Sequence, residues 1–199
     1  IEIAKSTRCN VTGITLSKNQ YDYSKKKAKE LNLDNQVNFK MLDYREIKNE
    51  KFDRVVSIEM FEHMRNYKVL LKKISNWLND TGKLFVHIFS HNSIVYPYED
   101  KGPGDWMSRE FFSGGLMPSH ELLLNFQDDL KIEKHWKVSG MHYSLTSYAW
   151  LDQMDLNKSS IINIFEKAYG KNQSKIWFQR WRIFFLACAV MFSIKSGTE

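Results

Sequence analysis

Hydrophobic positions along the first ninety residues switch repeatedly between two periods. VTGITL at 11–16 is short, β-branched and bounded by polar residues, which predicts a strand. SKNQYDYSKKKAKEL at 17–31 follows with helical spacing, and its Ser17 and Gln20 are spaced as a capping box. VNFKMLD at 37–43 and FDRVVSIEM at 52–60 read as two more strands, nearly continuously apolar at their interior positions, as in a parallel sheet covered on both faces. NYKVLLKKISNWL at 66–78 returns to helical spacing, and the turn NDTG introduces a fourth strand, KLFVHIFS at 83–90. From 92 to 118 the pattern is irregular and aromatic; SHELLLNFQDDL (119–130) then predicts a helix, KIEKHWKVSG (131–140) a strand, and 143–194 a mostly helical region.

Alternating strands and helices predict an α/β fold with a parallel sheet. In such sheets ligands bind beyond the carboxyl ends of the strands. Those ends carry Thr15 to Gln20, Asp43 and Tyr44, Glu59 to His63, and His87 with His91, so a site is expected along that edge.

Composition narrows the class. The chain has 199 residues and is 43% hydrophobic, enough for one compact domain, and its three prolines and nine glycines mark no boundary. The two cysteines, Cys9 and Cys188, lie far apart, and Cys188 sits in the apolar run FFLACAVMF as a reduced core thiol, so a cytoplasmic location is the default expectation. The most hydrophobic segment, 183–194, falls short of the roughly 20 residues a membrane-spanning helix needs, and is read as a buried helix. IEIAKSTR lacks the order of a secretion signal. The net charge of +6 comes from scattered lysines without aromatic interleaving, which describes a solvated surface and gives no reason to expect nucleic acid.

The chemistry concentrates in SIEMFEHM at 57–64, where Glu59, Glu62 and His63 follow a hydrophobic strand. Ionisable groups in such a place must be paired, wet or used. A carboxylate with imidazole support can hold an ammonium and take its proton. The bland alternative is a strand-to-helix junction in which Glu62 caps neighbouring amides and His63 is a satisfied core histidine. Metal binding is not expected, because these residues lack Glu-x-x-His spacing and His87 with His91 has no acidic or thiol partner at ligand spacing.

ITLSKNQ, SIEMFEHM, LFVHIFSH, GDWMSREFFSGGLMPS, HW and HYSLT, in that order, resemble the cyclopropane fatty acid synthase family of S-adenosylmethionine-dependent methyltransferases, over nearly the whole chain. EMFEHM with WMSREFFSGGLMPS is most similar to the branch that includes plant coclaurine-type N-methyltransferases. The resemblance implies a Rossmann-like class I methyltransferase sheet, with a lid at 92–118 and an acceptor-binding helical region at 143–194, in one domain over 1–199. It places Trp106, Phe111, Phe112 and Met117 in the lid, with Gly114 and Gly115 beside them as a mobile wall. It also implies S-adenosylmethionine as cofactor and S-adenosylhomocysteine as product. Thr15, Leu16, Gln20, Asp43, Tyr44 and Ile58 are carried over as cofactor-binding; Asp43 would accept from the adenine amino group, Tyr44 would lie against the base, and Ile58 would shape the pocket. Glu59, Glu62, His63, His87 and Tyr143 are carried over as catalytic.

Two acceptors follow from the resemblance. Small-molecule amines suit the N-methyltransferase branch, in which the second acid, Glu59, is present. In the lipid-modifying members, Glu62, His87 and Tyr143 would hold a bicarbonate that takes a proton from a methylated alkene; that acceptor implies lipid biosynthesis and peripheral membrane contact. A third alternative is a non-catalytic domain that keeps the fold. On the same resemblance, the glycine-rich cofactor loop would precede residue 1 and the last strand would follow residue 199. The sequence is therefore expected to be a fragment with its first and last strands missing, binding cofactor weakly or not at all.

Overall fold

A computed structural model of the chain describes residues 1–48 and 50–198. They form two compact units, Ile1–Phe52 and Asp53–Glu199.

The first unit opens with α1 (Glu2–Thr7), then runs β1 (Val11–Thr15), α2 (Lys18–Glu30) and β2 (Val37–Met41). The two strands pair in parallel, from Val11 opposite Val37 to Thr15 opposite Met41, with α2 as the crossover. Ser17 starts α2 as expected: its hydroxyl accepts the Gln20 amide at 3.3 Å. The other half of the capping box does not form, because the Gln20 side-chain carbonyl accepts the Thr15 hydroxyl at 2.7 Å. Ala4, Ala28 and Val37 make a small core with Val11, Leu33 and Phe39 packed around it. Gly13 is required where it stands, since a Cβ there would lie 2.8 Å from the Phe39 ring.

In the second unit, β3 (Phe52–Ile58) pairs with β4 (Leu78–His87), and α3 (Tyr67–Trp77) lies between them in sequence. Asn66 caps α3 by accepting the Val69 amide at 3.1 Å. Tyr67, Leu70, Leu71, Ile74 and Trp77 are buried, the three-four spacing of an amphipathic helix. The aromatic stretch that follows holds β5 (Tyr96–Pro97), α4 (Trp106–Glu110) and β6 (Leu116–Met117), with β5 and β6 antiparallel. Three helices complete the unit: α5 (Met141–Leu156), α6 (Lys158–Tyr169) and α7 (Ser174–Ser193). The α5–α7 pair dominates their packing, and buried Ser144, Ser147, Cys188 and Ala189 are small enough to let helices approach closely.

Four expectations need correction. Residues 119–130 carry only a 3-10 turn, Leu122–Asn125, because side chains there bond the backbone in ways that compete with a helix. Asn125 donates to the Leu122 carbonyl, and Gln127 donates to Leu124 while accepting the Ile132 amide. Residues 131–140 form no strand; among the described residues none pairs with them, and a strand without a ladder partner has nothing to satisfy its backbone. The strands are not covered on both faces, since Leu16, Met41, Val56 and Ile58 are exposed. The apolar run of α7 is buried along one stripe only: Cys188 and Ala189 are inside, while Ile183, Val190 and Met191 face outward.

Candidate active site

The site in the second unit grows from the end of β3. Glu59 has a left-handed backbone, φ 50°, a conformation that costs a non-glycine residue about 1 kcal/mol or more. It is held there at both ends: its amide donates to the His87 carbonyl at 2.9 Å, and its carboxylate meets His87 Nδ1 at 2.9 Å. The pairing of β3 with β4 brings these two residues together. Burial pushes the Glu59 carboxyl up, and the neighbouring His87 opposes that rise.

The chain then makes a 3-10 turn, Phe61–His63, that turns both Phe61 and Glu62 inward. Phe61 is fully buried and its carbonyl accepts the Tyr67 hydroxyl at 2.9 Å, which anchors the turn to α3. Glu62 is only 3% exposed, and its Oε2 has no hydrogen-bond partner among the described residues. Burial, with a further push from Glu59, raises its carboxyl to about 7. His63 Nε2 stands 3.8 Å from Glu62 Oε1 and its ring is half-exposed. The bland account is not met here: among the described residues the Phe61–His63 turn has no side-chain cap, the one backbone bond that steadies the Glu62 carboxylate being to its own residue, and His63 is half-exposed rather than a core histidine.

Glu59, His87 and Tyr143 line one cavity of about 610 Å³ in this unit. Tyr143 enters from the first turn of α5, its ring 4.4 Å from Phe192. Glu62 sits beside the cavity, and its charge helps to raise the hydroxyls of Tyr67 and Tyr143, both on the wall. The aromatic stretch abuts the same turn. A Cβ on Gly115 would lie 2.9 Å from the Glu62 carbonyl and 3.3 Å from the Tyr98 ring, so only glycine allows this approach. Tyr98 stacks on Phe112, and Phe111 stacks on Phe184 of α7. Of the other lid residues, Trp106 packs edge-on against Phe111 and Met117 accepts the Tyr98 hydroxyl through its sulfur at 3.9 Å. Ile58 ends β3 with its side chain exposed. His91 accepts the Ser93 and Ile94 amides and so shapes a turn.

Sequence reasoning did not find Tyr67 or Tyr98. Both flank Glu62 through packing that no spacing announces. Nor did it find His120 and His135, which stack at 3.9 Å on the cavity wall.

The remaining named residues belong to the first unit. The Thr15 hydroxyl donates to Gln20 and accepts the Ser17 amide at 3.1 Å. The Leu42 amide donates to the Thr15 carbonyl at 3.2 Å, which ties the carboxyl ends of β1 and β2 together. Asp43 caps the 3-10 turn Tyr44–Glu46 in a full capping box and pairs with Arg45 at 2.6 Å. Leu16 is 73% exposed beside this cluster.

Among the described residues, no group of three or more His, Cys, Asp or Glu is placed to hold a metal, and no helix is long and apolar enough to cross a membrane.

The family model for mycolic acid cyclopropane synthetase matches residues 1–198. The chain belongs to this family. It is 38% identical to (S)-coclaurine N-methyltransferase of Papaver somniferum over 98% of its own length and 56% of the relative's. To pavine N-methyltransferase of Thalictrum flavum subsp. glaucum it is 36% identical, over 100% of this chain and 57% of the relative. The chain therefore spans little more than half the length of these curated relatives. Among solved structures, coclaurine N-methyltransferase bound to N-methylheliamine and SAH superposes with a TM-score of 0.91 at 34% identity, covering 100% of this chain and 60% of that one. The cyclopropane synthase MmaA2 of Mycobacterium tuberculosis shares the fold at TM-score 0.77 and 22% identity, over 96% of this chain and 68% of that one. The expected α/β class I methyltransferase fold is thus present, and the family resemblance drawn from the motifs holds.

Proposed function

We propose that the protein transfers a methyl group from S-adenosylmethionine to the nitrogen of a small-molecule amine. The observation that carries this reading is the pair of acids at the end of β3: one bonded to an imidazole at a cavity, the other buried, half-unpartnered and raised to about 7. The amine methyltransferases among its relatives support it from outside the site.

The residues present suit the cofactor. In the first unit, exposed Leu16 and Met41 offer apolar surface at adjoining strand ends, and Gln20 and Asp43 offer oxygen acceptors for the amino and hydroxyl groups of a nucleoside. When bound, S-adenosylmethionine supplies an electrophilic methyl group. The chain supplies the rest. An ammonium entering the cavity meets Glu59 and loses hydration against aromatic walls, so it is held by charge. Its proton passes to the Glu59–His87 pair, which shares it between Oε1 and Nδ1 and leaves the nitrogen with a lone pair. Glu62, raised to about 7 by burial and by the charge of Glu59, in turn adds to the charge felt by the Tyr143 hydroxyl. Tyr143 and Tyr67 close the wall and restrict where the nitrogen can stand. A cytoplasmic location fits this reading.

The Glu59–His87 bond also favours the amine over a lipid alkene. A bicarbonate held by Glu62, His87 and Tyr143 would have only Nε2 of His87 to bond, because Nδ1 faces Glu59, and would stand beside a further carboxylate whose charge opposes it. The test is methyl transfer from labelled S-adenosylmethionine to a panel of primary and secondary amines and to unsaturated phospholipid vesicles. Transfer to amines that Glu59→Ala lowers by about 100-fold or more is expected. Equal amine activity in that variant, or transfer to lipid alone, defeats the proposal, and no transfer to either favours a non-catalytic domain.

A further inference from the structure

The cavity that holds Glu59 is chemically lopsided. Glu59 is the one carboxylate among its described lining residues, and His87 answers it. Another stretch of the wall carries Lys134, His135, Lys137 and His142, with His120 stacked on His135 at 3.9 Å. The amino-terminal turn of α5, through Gly140 and His142, lies on that wall and adds the positive end of its dipole. The acids next to these cations in sequence lie outside the cavity lining: Glu133, which also feels Lys134, is bound by Lys83 at 2.5 Å, and Glu121 adjoins His120. Lys137 donates to Asn92 at 2.6 Å, which fixes its ammonium on the wall and leaves two N–H groups for a ligand. Apolar surface also lines the cavity, with Phe85 and Trp136 in tilted contact at 6.1 Å.

We infer that Lys134 and Lys137, with His135 beside them, form a carboxylate subsite, and that the acceptor is an aromatic amine that also carries a carboxylate. The amine goes to Glu59, the ring to the aromatic wall, and the carboxylate to the lysines. This rests on the amine reading for the place of the nitrogen and deepens it by naming the other end of the molecule. The step stays balanced: the nitrogen lone pair freed when Glu59 and His87 take the proton would form the new C–N bond as the donor's methyl–sulfur bond breaks, its electron pair staying on the sulfur of S-adenosylhomocysteine, and the carboxylate is unchanged.

Two probes that differ by one group test it: phenethylamine and 4-(2-aminoethyl)benzoate, each assayed by methyl transfer and by calorimetric titration. The benzoate is expected to show kcat/KM about tenfold above phenethylamine, as one charge-assisted contact provides. In Lys134→Met/Lys137→Met the ratio should fall to about one, and in Lys134→Arg/Lys137→Arg it should persist, which excludes misfolding as the cause. If both amines are methylated at rates within about twofold of each other, the subsite is overturned and the amine reading stands. If neither is methylated but the benzoate binds and the methionine variant abolishes that binding, the amine reading falls and the subsite stands. No binding of the benzoate overturns the subsite.

Discussion

The polar cluster of the first unit and that of the second both stand at strand ends and are solved in opposite ways. Thr15 and Gln20 satisfy each other and the local backbone within a few residues, and Asp43 has both a turn to cap and an arginine to face. Glu62 is buried with an oxygen that bonds nothing described, and Glu59 stands on a left-handed backbone to reach a histidine on the next strand. Local satisfaction is what a strand end or a helix start needs in order to fold. An unpartnered buried acid and a strained backbone work against folding, and such costs concentrate where chemistry is done. Both clusters end strands at positions where ligands bind in this kind of sheet, so position alone does not separate them; the state of the hydrogen bonds does.

The largest expected effect is on rate. Glu62→Gln keeps the shape and removes the charge, and should lower kcat/KM for an amine by about 100-fold or more. In the unmodified protein the rate should rise as pH increases through about 7, because Glu62 must lose its proton to hold Glu59 and the amine in their working states. That limb should be absent from the variant's profile. A variant that keeps both the rate and the limb would make Glu62 as structural as Asp43.

The next effect is on stability and runs in the opposite direction. The Glu62 carboxyl is raised in the folded chain, from 4.5 to about 7, so the folded state binds the extra proton between those values. Stability from this group is therefore fully present below about 4.5 and is lost as pH rises through about 7. At about 1.4 kcal/mol per pH unit, the loss is about 3 kcal/mol. Glu62→Gln should escape it. Urea midpoints taken from acid to neutral pH should converge for the two proteins at the acid end and separate at neutral pH, with the variant the more stable. Parallel curves would mean that the acid is better solvated than its surroundings imply.

Much of the first unit was legible because its signals are local. Ser17, the β-branched strands and the crossover helix each announce themselves within a few residues, and the parallel pairing follows from them. The second unit was legible only in part. The motif SIEMFEHM named the right acids, but the bond between Glu59 and His87 spans two paired strands, and the burial of Glu62 depends on a 3-10 turn plugged by Phe61 and anchored by Tyr67. Residues 119–140 misled because Leu122 to Leu124 look helical and Trp136 and Val138 look like alternating strand positions. Neither pattern became the element it suggests: side chains of Asn125 and Gln127 took the backbone bonds of the first, and the second pairs with no strand among the described residues, leaving Trp136 and Val138 more than half exposed although Trp136 touches Phe85. Pattern reports what a segment could bury, and the fold decides whether anything is there to bury it against.

The smallest effect belongs to the first unit. Asp43→Asn retains a side-chain oxygen for the Arg45 amide and loses the charge and the second acceptor oxygen that face a largely exposed guanidinium. Asparagine caps as well as aspartate, and ion pairs with an exposed partner contribute little, so the change in unfolding free energy should stay within about 1 kcal/mol. A loss of about 3 kcal/mol in urea unfolding would show that this carboxylate carries more than a turn, and the contrast between the two clusters would then rest on Glu62 alone. A loss inside the smaller bound leaves Asp43 as a group that folding needs chiefly as a cap, its carboxylate held at the carboxyl end of β2 by the amide and the guanidinium of Arg45.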